Sequence, residues 1–320
     1  MTINTVHNPQ FELGQICEPS RPEGISAFLR IKNGADYLEL AIRSHIRHFD
    51  EIVAVYNGCT DATPDILASL AAEFGERLRV FNYVPEVFPP GSPDHAEASA
   101  DSPHSLVHYS NFALAQTRYS TVTKLDDDHI ALDTPLDETC RQIRVRGCRL
   151  QDIWCFSGLN LARAADGSLA VPMADPISGS GDIGFFTPSH ATQFRHDPRF
   201  ERFDRGGMSL RFSGFLYWHV KYLKRAAGFA NYDLPKYPRS RFHRKKLKFE
   251  ASEVLPLQEF RSRISHRRGI IKEVASRFNA KLRMKVERDV AVAECFPHFS
   301  LEEAIAETSP TFAELILHHR

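Results

Sequence analysis

The first 85 residues alternate apolar strand-length runs with amphipathic helical segments, and this alternation constrains the fold more than any other feature of the chain. Residues 25–31 (ISAFLRI) are a β-rich apolar run. After Lys32-Asn33-Gly34, the apolar residues Tyr37, Leu38, Ala41, Ile42, Ile46 and Phe49 recur at helical spacing. EIVAVY (51–56) reads as a second buried strand, ending at the turn formers Asn57-Gly58-Cys59-Thr60-Asp61. Thr63 stands where an N-cap is expected and Pro64 suits the first helical position, so 64–75 reads as a helix. RLRVFNYV (77–84) is a third strand. The order β-α-β-α-β implies a parallel sheet with crossover helices, because parallel neighbours need a long connection.

Beyond residue 85 the pattern loosens. Residues 85–104 are a long polar loop rich in Pro, Ser, Asp and His; loops of this length inside a domain are usually functional or disordered. A helix over 105–117 leads into the strand STVTKLD (120–126), which runs directly into Asp126-Asp127-Asp128-His129. A helix over 134–146, a strand over 152–163, and a Gly/Ser loop at 178–182 follow. FLYWHVKYLK (215–224) reads as a helix with one apolar face. Residues 1–23, with three prolines, read as an N-terminal arm.

Charge narrows the function classes. Lys plus Arg and Asp plus Glu both number 40, which argues against a chain-wide nucleic-acid binder. The balance is uneven, however: acids dominate 1–140 and bases dominate 236–290. Such asymmetry marks an acidic metal-holding half and a basic anion-binding half. There is no apolar run of spanning length and no signal-like start. The cysteines form no CxxC pair and read as reduced thiols, so the expected location is cytoplasmic.

The chemistry concentrates at the acidic triplet. Adjacent carboxylates repel one another unless a cation neutralises them. On an extended strand end Asp126 and Asp128 point the same way, giving two carboxylates for Mg²⁺ or Mn²⁺, ions that complete their shell with water and substrate phosphate. A solvated acidic turn is the bland alternative. The position at the end of a strand in an α/β pattern favours a site, since ligands in open α/β sheets bind beyond the carboxyl ends of strands. The turn Tyr56–Asp61 occupies the same kind of position. It offers a ring for stacking and Asn/Asp acceptors, although the same residues also make an ordinary helix cap.

LRIKNGADYLELAIRSHIRHFDEIVAVYNGCTDATPDIL resembles the opening of family 2-type glycosyltransferases of the GT-A fold, and HYSNFALAQTRYSTVTKLDDDHI resembles their next block, which ends in the DxD metal motif. The resemblance covers roughly residues 25–132 and implies a three-layer α/β/α sandwich with a mostly parallel sheet and C-terminal helices. It implies a nucleotide-sugar donor, UDP-linked by family default, and Mg²⁺ or Mn²⁺ as cofactor. Carried over, Asp126 and Asp128 are the metal pair, with Asp127 between them. Arg30, Lys32, Asn33, Tyr56, Asn57, Asp61, Asn111 and Lys124 then surround the donor. The sequence departs from the family pattern at Tyr56, at Gly34 where a Glu is usual, and at Tyr109-Ser110.

The second half resembles the family more loosely. Asp182, in the Gly/Ser loop, is the first choice of general base, with Glu201 and Asp204 as rivals. A W-H-x-K pattern makes His219 a third metal ligand, and Lys221 or Lys224 a partner for the diphosphate. The basic stretch 235–250 reads as binding a phosphate-bearing acceptor or an anionic membrane surface, the latter through 236–290, or else as a solvated loop. The expected division is an arm (1–23), a catalytic domain (24–235, with a donor half to 132 and an acceptor half after it) and a basic helical region (236–320). The expected activity is transfer of a sugar to a hydroxyl of a saccharide or lipid-linked saccharide in bacterial surface polysaccharide or lipopolysaccharide synthesis, with inversion of configuration and no nucleic-acid partner. The alternatives are a sugar nucleotidyltransferase and a non-catalytic nucleotide- or sugar-binding protein.

Overall fold

The computed structural model describes residues 3–17, 20–179, 184–266, 276 and 279–318. The N-terminal arm contributes an edge strand, β1 (Asn4–Val6). The expected alternation follows as β2 (Ile25–Ile31), α1 (Leu38–Ile46), β3 (Glu51–Tyr56), α2 (Thr63–Phe74) and β4 (Leu78–Tyr83). The long polar loop holds a short helix, α3 (Pro93–Glu97), and is followed by α4 (Leu106–Ala115) and β5 (Thr121–Leu125). Next come β6 (His129–Ala131), α5 (Asp133–Arg146), β7 (Asp152–Asn160), β8 (Ala162–Arg163), β9 (Leu169–Pro172), β10 (Ile177–Ser178) and β11 (Gly184–Phe186). A hairpin, β12 (Thr192–Asp197) with β13 (Phe200–Arg205), precedes the long strand β14 (Ser209–His219). The chain closes with α6 (Arg241–Glu250), β15 (Val254–Leu255), α7 (Leu257–His266), α8 (Ala280–Cys295), α9 (Leu301–Thr308) and α10 (Pro310–His318).

The main sheet runs β1-β4-β3-β2-β5-β11-β7-β14-β6, with β10 beside β7. From β1 to β5 every pairing is parallel. Beyond β5 the sheet is mixed: β11 is antiparallel to both neighbours, β14 is parallel to β7, and β6 is antiparallel to β14. Side-chain alternation along β2 sends Ala27, Leu29 and Ile31 to the face covered by α1, α2 and α5, while Phe28 packs on the opposite face with α4. Helices α7 to α10 cover a second core region, around Trp218 and Phe260. The architecture is therefore the expected three-layer α/β/α sandwich with C-terminal helices.

One expected element changes class. Residues 215–219 belong to strand β14, and Lys221–Leu223 is a single 3-10 turn, where a helix over 215–224 is expected. Residues 215–218 are buried on both faces of the strand, so FLYW is apolar throughout and carries no period-2 signal. A second difference concerns the cap of α2. The side chain of Asp61 accepts from the Thr63 N–H at 3.0 Å, while Thr63 Oγ1 accepts from the Gly34 N–H at 2.8 Å. Asp61 thus plays the capping part expected of Thr63.

Candidate active site

The parallel strands β3, β2 and β5 end side by side, and the aspartate triplet sits where β5 stops. Residues 126–128 form a turn into β6, closed by the His129 N–H donating to the Asp126 carbonyl at 3.2 Å. Because the backbone turns here, the alternation expected of an extended strand end does not apply: Asp126 turns to Lys124, while Asp127 and Asp128 converge on Lys224. Asp126 pairs with Lys124 at 2.9 Å. Asp127 pairs with Lys224 at 2.8 Å, and Asp128 lies 3.4 Å from the same ammonium. Asp128 also faces His219 Nε2 at 3.3 Å.

His219 reaches this point because it alternates with Trp218 on β14. Trp218 is fully buried among the C-terminal helices, where its indole N–H donates to Thr308 Oγ1. His219 faces the other way, toward the aspartates. Its Nδ1 is hydrogen-bonded to Asn160 Oδ1. The amide of Asn160 is oriented by its Nδ2, which donates to the Asp175 carbonyl at 2.5 Å. His219 Nδ1 is therefore the donor, which turns Nε2 toward the Asp128 carboxylate. Fixing one ring nitrogen so that the other can ligate is a recurrent metal-site device. Ligand atoms of Asp128, His129 and His219 all lie within 4.8 Å of one another. His129 stacks on Tyr217, with ring centroids 3.8 Å apart, and its buried Nδ1 has no hydrogen-bond partner. These donors fit Mn²⁺ or Mg²⁺, with imidazole favouring the former.

The electrostatics are those of a poised cation site. Burial acts to raise the Asp126 and Asp128 carboxyls, but neighbouring ammonium groups win: Lys124 at Asp126 and Lys224 at Asp128. Both are held well below the usual carboxylate range. Burial and the adjacent Asp128 push Asp127 up to about 6, against the pull of Lys224. Burial lowers His129 to about 3, so this ring is neutral and able to ligate. The Lys224 ammonium is stabilised by Asp128 and Asp127 beyond its burial penalty. Gly34 is explained here as well. A Cβ at this position would lie 2.5 Å from Asp127 Oδ2, so the close approach of this carboxylate calls for a glycine.

A cavity of about 660 Å³ opens over the triplet, a size that suits a small-molecule ligand. Of the expected donor residues it is lined by Arg30, Lys32, Asn57, Lys124, Asp126, Asp127 and Lys221. The Asn57 side chain is already engaged, donating to the Tyr83 and Pro85 carbonyls and accepting from the Val87 N–H. It therefore shapes the 85–104 loop, whose residues 87–90 form one wall. Four expected residues are not brought to this cavity. Tyr56 is buried in the core beneath the sheet end. Asn111 is clamped to both backbone polar groups of Phe194. Asp61 and Asn33 line a smaller neighbouring pocket; Asp61 accepts from the Ala35 N–H, and Asn33 binds Thr60 and Asn231.

The three base candidates separate. Asp182 lies outside the described residues. Glu201 lines the cavity and pairs with Arg30 at 2.6 Å. Asp204, three residues on in β13, points away and pairs with Arg195 at 2.6 Å, because an odd offset along a strand changes face. The structure also adds cavity residues that sequence reasoning missed, Asp175, Tyr232 and Arg288, and it brings Arg241, Phe242 and Lys245 of the basic stretch into the lining. The site thus draws on the region after residue 235. Among the described residues no helix is long and apolar enough to cross a membrane.

No protein-family model matches the chain, and no curated protein does. Among solved structures, glucosyl-3-phosphoglycerate synthase from Mycobacterium tuberculosis in complex with Mg²⁺ and uridine diphosphate is 23% identical, with a TM-score of 0.24. That match covers 40% of this chain and 41% of the other, so the chain spans about two fifths of its length. The same enzyme with Mn²⁺, uridine diphosphate and glucosyl-3-phosphoglycerate aligns at 18% identity over 52% of this chain and 53% of the other, with a TM-score of 0.27. TarS residues 1–349 from S. aureus aligns at 12% identity over 92% of this chain and 86% of the other, with a TM-score of 0.36.

Proposed function

We propose that the protein is a metal-dependent glycosyltransferase that moves a sugar from a nucleotide-sugar donor, UDP-linked, to a hydroxyl of a saccharide or lipid-linked saccharide. One observation carries the reading: a half-buried aspartate turn at the carboxyl ends of parallel strands, facing His219 and Lys224 across a single cavity. Residues 24–132 supply the donor half of the site, with Arg30, Lys32 and the Asn57 turn beside the nucleotide. Residues 133–235 supply the acceptor half, and 236–320 close the rim.

Asp128 and His219, with His129 behind them, would hold Mg²⁺ or Mn²⁺. When bound, such an ion neutralises the charge that grows on the diphosphate as the sugar–oxygen bond breaks. Lys224, displaced from the carboxylates, supplies a second positive charge to the same oxygens. The acceptor oxygen forms a bond to the anomeric carbon, the bond from that carbon to the diphosphate breaks, and the nucleoside diphosphate leaves. If the reaction inverts configuration, the acceptor proton goes to a carboxylate, and Asp182 and Glu201 are the two assigned to that role.

The test is a product assay with metal, acceptor and nucleotide-sugar. Release of nucleoside diphosphate supports transfer. Release of pyrophosphate points to a nucleotidyltransferase, and neither product points to binding alone. A thermal-shift screen of nucleoside diphosphates with Mn²⁺ identifies the base, because a ligand of the folded state raises its stability.

A further inference from the structure

We propose that the acceptor carries a phosphate group, seated on Lys221 and Arg288 across the aspartate turn from the nucleotide. This deepens the glycosyltransferase reading and rests on it. The argument begins with charge. Eight lysine and arginine side chains line the cavity against five carboxylates, a surplus of three positive charges among the described residues. Arg30, Lys124, Lys224 and Lys245 are each paired with a carboxylate: Glu201, Asp126, Asp127 and Asp175. A nucleotide-sugar diphosphate and one divalent cation together add about zero net charge, since the cation is bound through the substrate phosphates. The surplus therefore persists with donor and metal in place, and an anionic second substrate would balance it.

Position selects the cations. In the sheet order β3-β2-β5-β11-β7-β14, the nucleotide side (Asn57, Lys32) lies on one side of β5, and β7, β10 and β14 lie on the other. Lys221 follows β14 directly, and Arg288 projects from α8 onto the Gly179 carbonyl just after β10, at 3.1 Å. Neither has a carboxylate partner among the described residues. Lys221 Nζ sits 4.9 Å from the Phe229 ring centroid and 5.5 Å from that of Tyr232. Those contacts orient the ammonium without neutralising it. Arg288 Nε is buried with no hydrogen-bond partner, and a guanidinium with a free N–H edge is matched to the oxygens of phosphate. A free sugar or polyol phosphate, and a phosphodiester within a polymer or lipid carrier, share this chemistry.

The full chain is saturated with Mg²⁺ and whichever of UDP, GDP or CDP binds best. It is then titrated calorimetrically with inorganic phosphate, glycerol 3-phosphate (a monoester) and diglycerol phosphate (a diester). We expect phosphate to bind the ternary complex, and Arg288→Met and Lys221→Met each to weaken it about tenfold or more. Arg288→Lys should retain only part of the affinity, since it keeps the charge and loses the planar N–H edge, and nucleotide affinity should change less than about twofold in the two Arg288 variants. The better of the two esters names the source. No phosphate binding to the wild-type complex overturns the proposal. So does unchanged affinity in both Met variants, or phosphate displacing the nucleotide with the same variants weakening it. If Arg288→Met fails to reach the wild-type melting temperature, Lys221→Met carries the test alone. If no nucleoside diphosphate binds while phosphate still depends on Arg288, the anion seat stands and the glycosyltransferase reading falls.

Discussion

The two walls of the cavity are built in different ways. The donor wall is the end of a parallel ladder. Every residue of β3 is buried, and β2 is hydrogen-bonded on both sides. The opposite wall, residues 221–233, is a chain of three 3-10 turns with Ala226, Ala227 and Asp233 in the left-handed region. It is held by side chains: Lys224 on Asp127, Arg225 on Asp36 at 2.9 Å, and Asn231 on the Lys32 carbonyl at 2.5 Å. A ladder keeps its geometry whatever the charge above it. A segment tied by ion pairs to the aspartates does not. The arriving cation and diphosphate compete for the same carboxylates, so the second wall is the one expected to rearrange.

The comparison is broken most severely at the shared point of contact. Asp128→Asn should abolish metal-dependent nucleotide binding and reduce turnover by roughly a thousandfold or more, since the ion's charge stabilisation is lost with it. Full activity in a folded Asp128→Asn protein sinks the metal assignment. Lys224→Met comes next. Breaking one partner out of a buried charge cluster costs about 3–5 kcal/mol, so the metal-free variant should melt well below wild type. Mn²⁺ should restore much of that difference by supplying the missing positive charge, and melting curves with and without Mn²⁺ read it. Destabilisation that Mn²⁺ leaves untouched means that Lys224 holds the wall and not the charge.

Asn160→Ala acts more weakly, through His219. Loss of a partner that fixes a ligating histidine typically costs about 10–100-fold in metal affinity. Titration of Mn²⁺ by electron spin resonance measures it, and unchanged affinity removes His219 from the ligand set.

The same division decides what was legible in the sequence. The ladder wall was readable because its strands and helices are short, periodic and consecutive: ISAFLRI, EIVAVY and the helices between them carry their own signals. The triplet was readable because three adjacent carboxylates demand a partner. Its geometry was not, because the turn at 126–128 sets aside the alternation of an extended strand. That turn draws His129 into the donor group, although it stands next in sequence to the motif. The far wall depends on distant pairs. Asp127 meets Lys224 from 97 residues away, and Arg288 meets Gly179 from 109 away. No local pattern encodes such meetings. The two-sided burial of residues 215–218 in β14 also erased the alternation that would have placed Trp218 and His219 on opposite faces.

The smallest effect tests the contrast without touching charge. Ala226 has φ 51°, a conformation that costs a residue with a Cβ about 1 kcal/mol relative to glycine. Ala226→Gly relieves that strain while adding unfolded-state entropy of similar size. The expected change in unfolding free energy is therefore between zero and about 1 kcal/mol of stabilisation. Ala54→Gly, in the middle of β3 and fully buried, has no strain to relieve. It loses a packed methyl and gains only chain entropy, for a cost of about 1–2 kcal/mol. Urea denaturation of the two variants in parallel gives the signs. Opposite signs mean that the wall at 221–233 holds its shape against backbone preference, through its ion pairs, and is free to relax when those pairs are exchanged for a cation and a diphosphate. Equal losses mean that Ala226 is as tightly determined as the ladder, in which case both walls are rigid and the cavity receives its ligands without rearrangement.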